Sequence, residues 1–399
     1  MYSDKTYSLY IHIPFCLSKC TYCDFFSIEC HNNPPVSDSY ITALIKEVDY
    51  RLGKLNQKCK SIYIGGGTPS LITEKQLDVL FQGLKNNLTF TDNYEFTLEM
   101  NPDDITKNKL DFLMDSPVTR ISCGIQSLDD EVLKAVKRRA SKAEAEKALS
   151  LLKTYWHKTL SLDLISSLPY EKEEKFLENL KTICSYKPDQ ISLYALTLEE
   201  ETPLGKDLFK NLIPYDYEAA DKMWLKGRNV LLGEGYFQYE VSNFCLKGKE
   251  CIHNLTYWNH EDYYGIGSGA SGTIYNQDGS GFRWTNTRDI KKYIDFWNGK
   301  TFVNPCDITN NIMEDSEGID VPVSKFEFFM MGLRKLSGVS ERQYRRVFGE
   351  GISPSVVSLF SEWEKKKLAL IQKKDDDIFY SLNAEGILFL NRFLEELEL

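Results

Sequence analysis

The chain has 399 residues, of which 42% are hydrophobic and 27% are charged, so it can bury a sizeable core and is not disordered. Acidic residues number 58 against 48 basic ones, and the net charge of −10 argues against non-specific binding along nucleic acid or an anionic membrane surface. No apolar run approaches the roughly 18 residues of a membrane span, and the polar N-terminus is unlike a signal peptide. We therefore expect a cytoplasmic protein whose 10 cysteines are reduced thiols or metal ligands.

Short β-branched or aromatic runs alternate with segments of helical period in the first half of the chain. The predicted strands are Tyr7–Ile13, Ser61–Ile64, Tyr94–Met100, Arg120–Ile125, Leu160–Ile165 and Gln190–Leu196. The predicted helices are Ser39–Leu55, Thr73–Leu84 (with Thr73 as N-cap), Asp129–Val136, Lys142–Thr154 and Glu173–Ser185. Strands that recur about every 30 to 40 residues indicate βα units. Six units predict an α/β fold with an open, partial (β/α)6 barrel.

The second half of the chain has a different character. A helix is predicted over Tyr215–Glu234, and Gly235–Thr287 is interpreted as loop and short strand. From about Asp320, helical segments, a hairpin and a last acidic helix predict a mainly helical, winged-helix-like module. The acidic last helix favours a packing or substrate-covering role over nucleic-acid binding. We predict domains over 1–215, 216–300 and 301–399.

Chemically unusual residues directly follow four of the predicted strands. They are Pro14-Phe15-Cys16, Gly65-Gly66-Gly67-Thr68-Pro69, Asn101-Pro102 and Gln126-Ser127. In parallel α/β folds the carboxyl ends of the strands carry the active site. The four segments therefore predict a single functional site.

Cys16, Cys20 and Cys23 form a C-x3-C-x2-C cluster in the loop after the first strand. Three thiolates at this spacing can hold three irons of a [4Fe–4S] cluster, which leaves the fourth iron open to a small molecule. A zinc site is the alternative, with His31 or Cys30 as the fourth ligand.

The segment Cys16-Leu-Ser-Lys-Cys20-Thr-Tyr-Cys23 resembles the signature of radical S-adenosylmethionine (SAM) proteins. Tyr10-Ile-His-Ile-Pro-Phe-Cys16 is similar to the oxygen-independent coproporphyrinogen III oxidase group within them. Further motifs match in order through Asp163-Leu-Ile-Ser-Ser-Leu-Pro169 and into the C-terminal module. The resemblance implies that SAM chelates the open iron and that an electron from the cluster cleaves it to a 5′-deoxyadenosyl radical.

The resemblance also implies which residues contact SAM. They are Tyr10, Tyr22, Gly66, Gly67, Thr68, Glu99, Gln126, Arg138 and Asp163. Carboxylates suit an ammonium group and ribose hydroxyls, an amide suits ribose, and an arginine suits the SAM carboxylate. The family usually shows Gly-Arg-x-His where this chain has Lys137-Arg138-Arg139-Ala140, so Arg139 is a second candidate for the carboxylate.

Two branches of the family are distinguished by other residues. The oxidases carry a further cysteine where this chain has Phe25, and they have a longer segment before the first cysteine. The HemW-like branch, described as haem chaperones, carries His-Asn-x-x-Tyr-Trp, which is present here as His253-Asn-Leu-Thr-Tyr257-Trp258. The resemblance implies that His253 is an axial haem ligand and that Tyr257 and Trp258 form a flat apolar face for the porphyrin. Cys251 is a weaker candidate for a second ligand or an attachment point.

The sequence is therefore interpreted as a HemW-like radical SAM protein that binds a [4Fe–4S] cluster, SAM and haem. The expected partners are haem-accepting proteins such as respiratory cytochromes and an electron donor to the cluster. No nucleic acid is expected, peripheral membrane contact stays open, and so does the choice between monomer and dimer. The alternative is a coproporphyrinogen III oxidase that decarboxylates its substrate through the 5′-deoxyadenosyl radical.

Overall fold

The computed structural model describes residues 5–299 and 311–398, and its central feature is a 12-stranded mixed sheet. In chain order the strands are β1 (Thr6–Ile13), β2 (Phe15–Cys16), β3 (Ile28–Glu29), β4 (Lys58–Gly66), β5 (Thr89–Met100), β6 (Arg120–Gln126), β7 (Thr159–Ser166), β8 (Gln190–Ala195), β9 (Phe237–Gln238), β10 (Asn243–Cys245), β11 (Tyr263–Ile266), β12 (Ser271–Tyr275), β13 (Gly281–Asn286), β14 (Met313–Ile319), β15 (Val339–Ser340), β16 (Ala369–Lys374) and β17 (Asp377–Leu382). The order across the large sheet is β14-β13-β12-β11-β1-β4-β5-β6-β7-β8-β10-β9.

Helices connect and cover these strands. In chain order they are α1 (Asp38–Leu52), α2 (Glu74–Asn87), α3 (Lys107–Met114), α4 (Asp130–Ala135), α5 (Lys142–Tyr155), α6 (Glu173–Ser185), α7 (Pro203–Phe209), α8 (Tyr217–Gly233), α9 (Ile252–Trp258), α10 (Ile290–Asn298), α11 (Val321–Gly332), α12 (Glu341–Phe348), α13 (Pro354–Lys365) and α14 (Leu390–Glu395). Thr73 caps α2 in a capping box with Gln76, so the predicted N-cap is confirmed.

The six predicted strands are confirmed, and they pair in parallel as β1-β4-β5-β6-β7-β8. A seventh parallel strand, β11, pairs with β1 on the other side. The sheet continues beyond β8 and β11 with antiparallel strands instead of closing on itself. This is the expected partial α/β barrel, wider by one strand than the sequence indicated. Since β11 has only four residues, its sequence pattern is too short to separate it from the surrounding loops.

The two faces of the parallel strands differ in chemistry because successive side chains point to opposite faces. On β4, Ile62 and Ile64 belong to the main hydrophobic core, which also contains residues of the surrounding helices. The alternate residues Ser61, Tyr63 and Gly65 belong to the other face. On β5 the same alternation puts polar Glu95, Thr97 and Glu99 on that face, so the interior of the open barrel is polar.

Helix α9, which carries the His-Asn-x-x-Tyr-Trp motif, packs against β1 and β4. The Glu95 carboxylate accepts hydrogen bonds from the first amides of this helix, from Ile252 N at 3.1 Å and His253 N at 3.0 Å. A carboxylate at a helix N-terminus accepts hydrogen bonds from unpaired N–H groups and interacts favourably with the positive end of the helix dipole. Glu95 therefore fixes α9 to the middle of β5.

The C-terminal module has a second hydrophobic core of its own, centred on Phe328, Phe329, Phe360 and Phe393. Its helices α11 to α14 and the β16–β17 hairpin match the winged-helix-like content that the sequence predicted. Strand β14 instead pairs with β13, so the large sheet extends into the range 301–399 assigned to this module. The exact domain boundaries stay a prediction.

The seventh strand depends on a buried carboxylate. Glu47 on α1 is fully buried and accepts hydrogen bonds from Arg51 Nε (2.8 Å), Gly267 N (2.9 Å), Asn286 Nδ2 (2.9 Å) and the Tyr293 hydroxyl (2.5 Å). These partners lie on α1, after β11, on β13 and on α10. Glu47 thus joins four segments of the chain at one point.

We expect Glu47→Ala to lower the free energy of unfolding by about 3–5 kcal/mol, because it removes the ion-pair partner of Arg51 and the acceptor of buried donors on Gly267 and Tyr293. Urea denaturation measures this change. The matched control is Glu146→Ala, which removes a carboxylate that is 43% exposed and should change stability by no more than about 0.5 kcal/mol. Equal effects of the two substitutions would contradict the role given to Glu47.

Candidate functional site

The carboxyl ends of the parallel strands surround a cleft of about 470 Å³. The predicted residues that line it are Cys16, Cys20, Tyr22, Cys23, Gly66, Gly67, Thr68, Glu99, Gln126, Arg138 and Asp163. The four strand-end motifs therefore meet at one place, as the sequence predicted. The cleft is also lined by residues to which the sequence gave no role, including Lys19, Tyr63, Ser122 and Tyr194. No described residue of the C-terminal module lines the cleft, so in this conformation the module packs beside the barrel without covering it.

The cysteine loop is closed at its base by a small two-stranded sheet. Strand β2, which contains Cys16, pairs in parallel with β3. Two of the three sulfurs face donors across the cleft, since Thr68 Oγ1 lies 3.4 Å from Cys16 Sγ and Arg138 Nη1 lies 3.7 Å from Cys20 Sγ. Hydrogen-bond donors and a guanidinium stabilise the negative charge of a thiolate, the form that ligates iron.

His12 ties the far end of the loop to the barrel. Its Nε2 lies 2.8 Å from the Phe26 carbonyl oxygen, which can only accept, so Nε2 carries the proton. Its Nδ1 therefore accepts from the Tyr10 hydroxyl at 2.8 Å. Burial lowers the pKa of His12 to about 4, so the ring is neutral at pH 7. The Tyr10 hydroxyl is thus engaged by His12, and Tyr10 is not among the residues that line the cleft, so its contact with SAM stays a prediction.

The two glycines at the end of β4 are needed for packing between strand ends. Gly66 has φ +112°, and a Cβ there would lie 2.5 Å from the His12 ring. A Cβ on Gly67 would lie 2.8 Å from the Phe15 carbonyl oxygen. The missing side chains thus leave room for β1 and for the start of the cysteine loop. Whether they also admit the SAM backbone stays a prediction.

Tyr22 holds the middle of the cysteine loop in a small apolar cluster beside the cleft. The cluster consists of Val132, Val136, Ile165 and Leu168, with Tyr22 and Leu196 packed against it. This contact joins the loop to α4 and to the end of β7. Tyr22 therefore combines a packing role with its position on the cleft wall.

Two carboxylates stand on one wall of the cleft. Glu99 Oε2 accepts from Gly66 N at 3.2 Å, and burial raises the pKa of Glu99 to about 7. Asp163 accepts from Ser122 Oγ at 3.0 Å and from Ser192 Oγ at 2.7 Å, and burial raises its pKa as well. Carboxylates with raised pKa values are stabilised by a cation or by hydroxyl donors, and SAM presents both kinds of group.

The neighbouring arginines differ in where they point. Arg138 lines the cleft, and its Nη2 donates to Asn101 Oδ1 at 2.8 Å and to the Gly124 carbonyl at 2.5 Å. Its Nε is buried without a hydrogen-bond partner. Arg139 instead forms an ion pair with Asp104 at 2.6 Å and does not line the cleft. The geometry therefore favours Arg138 as the partner of an anionic group in the cleft.

Gln126 has strained backbone at the end of β6. Its φ is +67°, in the left-handed region, and the register with β7 shifts between Gly124 and Gln126. Such a conformation costs on the order of 1–3 kcal/mol and is typical of functional sites. The bulge leaves the Gln126 amide on the cleft wall.

The predicted haem-binding residues lie outside the cleft. His253 is 1% exposed, and both ring nitrogens are engaged, Nδ1 with Ser61 Oγ at 2.9 Å and Nε2 with the Tyr257 hydroxyl at 2.8 Å. Tyr257 and Trp258 are partly exposed on the same short helix. Cys251 is fully buried and its Sγ donates to Glu95 at 3.2 Å. In this conformation neither His253 nor Cys251 is open to an iron, and their roles stay predictions.

The donor set around the cleft fits an iron–sulfur cluster better than a zinc ion. Cys30 Sγ donates to the Pro35 carbonyl at 3.2 Å, and neither Cys30 nor His31 lines the cleft, so neither of the two predicted fourth zinc ligands joins the three thiols. Within 5–299 and 311–398, no three His, Cys, Asp or Glu side chains are grouped as a single metal ion requires. A cluster needs a different arrangement, because each thiolate binds its own iron.

Comparison with known proteins identifies the family. Residues 10–183 match the radical SAM superfamily. The heme chaperone HemW of Haemophilus influenzae is 33% identical over 97% of each chain. This chain belongs to the HemW family. The HemW proteins of Escherichia coli (32% identity, 97% of each chain) and Bacillus subtilis (34% identity, 89% of this chain and 91% of that one) are similar relatives.

The fold of this HemW family member is shared with a solved structure. Coproporphyrinogen III oxidase HemN from Escherichia coli, a radical SAM enzyme, superposes with a TM-score of 0.76 over 99% of this chain and 90% of that one. At 19% identity this similarity shows the fold alone. Membership of the radical SAM superfamily implies a [4Fe–4S] cluster and SAM, and the cleft residues fit both. Bound at Cys16, Cys20 and Cys23, such a cluster would supply an electron to SAM. Among the described helices, none has the length and apolar character needed to cross a bilayer.

We expect Arg138→Ala to weaken SAM binding to the cluster-loaded protein about tenfold to a hundredfold, because one charge-assisted hydrogen bond to the SAM carboxylate is lost. Anaerobic calorimetry measures the affinity. Arg139→Ala is the matched control and should leave the affinity near that of the wild type. A larger loss with Arg139→Ala would reverse the assignment.

The raised pKa of Glu99 predicts a pH dependence of stability in the chain free of cluster and SAM. The folded state holds a proton on Glu99 up to pH of about 7, whereas the unfolded chain releases it near its ordinary pKa of 4.5. Between these pH values the folded state binds more protons, so Glu99 makes stability fall as pH rises, by an amount on the order of 3 kcal/mol. Glu99→Gln should flatten that part of the curve in urea denaturation at several pH values. If the stability of the wild type and of Glu99→Gln changed with pH in the same way, the raised pKa of Glu99 would be contradicted.

Proposed function

We propose that this protein is a haem chaperone, which binds haem and delivers it to acceptor haemoproteins. The observation that carries the proposal is the similarity to curated heme chaperones at 32–33% identity over 97% of each chain. The His-Asn-x-x-Tyr-Trp motif and Phe25, in place of the oxidase's additional cysteine, support the same function. The acceptors would be respiratory cytochromes or similar proteins, and a reduced partner would supply electrons to the cluster.

The surroundings of His253 suit a neutral nitrogen ligand. Burial lowers the pKa of His253 to about 3, so its imidazole is uncharged throughout the physiological range. The rings of Tyr10 and Tyr63 lie 6.4 Å and 5.1 Å from the His253 ring. Tyr63 also lines the cleft, so only one aromatic ring separates the proposed haem ligand from the proposed SAM site. This proximity gives the cluster and SAM a route by which to influence haem binding.

The oxidase function is kept as the second candidate because 99% of this chain superposes on coproporphyrinogen III oxidase. Decarboxylation of coproporphyrinogen III would release CO2 together with 5′-deoxyadenosine. The two functions therefore differ in a product that can be measured directly.

We expect the anaerobically reconstituted wild type to bind haem saturably and His253→Ala to bind it at least about tenfold more weakly, because the axial nitrogen is removed. The Soret band in a haem titration reports the affinity. His31→Ala is a matched control, since His31 is an exposed histidine that does not line the cleft. Absence of specific haem binding, together with CO2 release from coproporphyrinogen III, would favour the oxidase instead.

A further inference from the structure

A chain of buried hydroxyl groups fixes the tautomer of His253. Thr256 Oγ1 donates to the Ile252 carbonyl at 3.1 Å, so Ser8 Oγ at 2.7 Å donates to Thr256. Ser61 Oγ then donates to Ser8 Oγ at 2.6 Å. Each hydroxyl has a single proton, and the proton of Ser61 is used, so Ser61 must accept from His253 Nδ1.

The consequence is that the Nε2 lone pair of His253 is available as an acceptor. It accepts a hydrogen bond from the Tyr257 hydroxyl at 2.8 Å. Histidines that bind metals commonly donate from the other nitrogen to a fixed acceptor, which orients the ring and raises its basicity. The Ser61 hydroxyl holds His253 in that arrangement.

Tyr257 lies on the Nε2 side of His253 and is more exposed than the histidine. His253 is 1% exposed, whereas Tyr257, one turn later on α9, is partly exposed. The Tyr257 ring packs edge-on against His253 at 5.2 Å and against Tyr263 at 4.7 Å. Rotation of this one side chain would break its hydrogen bond to Nε2 and leave the hydroxyl chain behind Nδ1 intact.

We propose that the Tyr257 hydroxyl is a cap on the haem ligand, which the haem iron displaces, and that Ser61 is the residue that positions His253. This inference rests on the proposed haem function. In the displacement the hydrogen bond from Tyr257 to Nε2 breaks and the Nε2 lone pair forms the bond to iron. Nδ1 keeps its proton, and no electron is transferred. Without haem, the cap leaves no buried nitrogen unsatisfied.

Cys251, in contrast to His253, is poorly suited to bind iron. Its thiol is fully buried, it donates to Glu95 Oε1, and burial raises its pKa above the ordinary value. A thiol that keeps its proton is a poor iron ligand. The proposal therefore uses His253 as the ligand, and the Cys251 thiol packs at the start of α9.

The test compares Tyr257→Phe with wild type in anaerobic haem titrations of the cluster-loaded protein. Tyr257→Phe removes the competing hydroxyl but keeps the ring, so we expect haem to bind about threefold to tenfold more tightly. Tyr263→Phe is the matched control, because its hydroxyl accepts from Thr273 at 3.0 Å and does not contact His253. It should bind haem as the wild type does.

Ser61→Ala tests the other half of the proposal. It removes the acceptor of Nδ1, so we expect haem to bind about threefold to tenfold more weakly, the opposite sign to Tyr257→Phe. Thermal unfolding of each variant separates this effect from loss of the fold, since a merely destabilised protein would lose haem affinity in both variants.

The outcomes separate the cap from the function on which it rests. If His253→Ala loses haem but Tyr257→Phe binds no more tightly than wild type, the cap is wrong and the chaperone function stands. If Ser61→Ala binds as wild type does, Ser61 does not position the ligand. If neither the wild type nor any variant binds haem, the proposed function is wrong, and so is the proposed cap.

Discussion

The inner face of the open barrel carries polar side chains, and the rest of the structure depends on how they are satisfied. An unpaired buried polar group costs about 1–3 kcal/mol, so each of these groups requires a partner or access to water. At the middle of β5, helix α9 provides partners for Glu95, Ser61 and Ser8. At the carboxyl ends of the strands Glu99 and Asp163 face the cleft instead. The inner face of the sheet thus has a filled half, which helix α9 covers, and an open half, which faces the cleft.

This division places the two proposed binding functions in one barrel. The cysteine loop is held at the open half by His12, by the small β2–β3 sheet and by the packing of Tyr22. The His253 motif lies in the filled half, behind Tyr63. The proposed SAM and haem ligands are therefore close in space although they are far apart along the chain. In the proposed chaperone, the cluster site and the haem ligand are a short distance apart, so a structural change at the cluster can affect haem binding.

Much of this architecture could be predicted from the sequence because its signals are local. Near-continuous apolar runs identified the six strands, and the spacing of Cys16, Cys20 and Cys23 identified the loop. The seventh strand was missed because four residues carry too little periodicity. The resemblance placed Tyr10 at the cleft, whereas its hydroxyl bonds to His12, two residues further along β1, and Tyr10 does not line the cleft.

Other features depend on packing between distant segments. The resemblance selected Arg138 but left the adjacent Arg139 as a second candidate, and only the tertiary structure shows Arg138 in the cleft and Arg139 paired with Asp104. Likewise, the resemblance implied that His253 is a haem ligand, but only the fold shows that its ring is buried and that Tyr257 bonds to Nε2. The glycines after β4 illustrate the same limit, since the neighbour that excludes a side chain at Gly66 is His12 on another strand.

The most direct test of the proposed function is the rate of haem delivery to two different acceptors. Haem-loaded protein would be mixed anaerobically, in stopped flow, with an apo form of a b-type cytochrome and, separately, with apomyoglobin as a passive haem scavenger. A chaperone transfers haem through contact, so the account predicts faster transfer to the cytochrome, at a rate that rises with its concentration. The same concentration-independent rate for both acceptors would mean simple dissociation and would contradict the account.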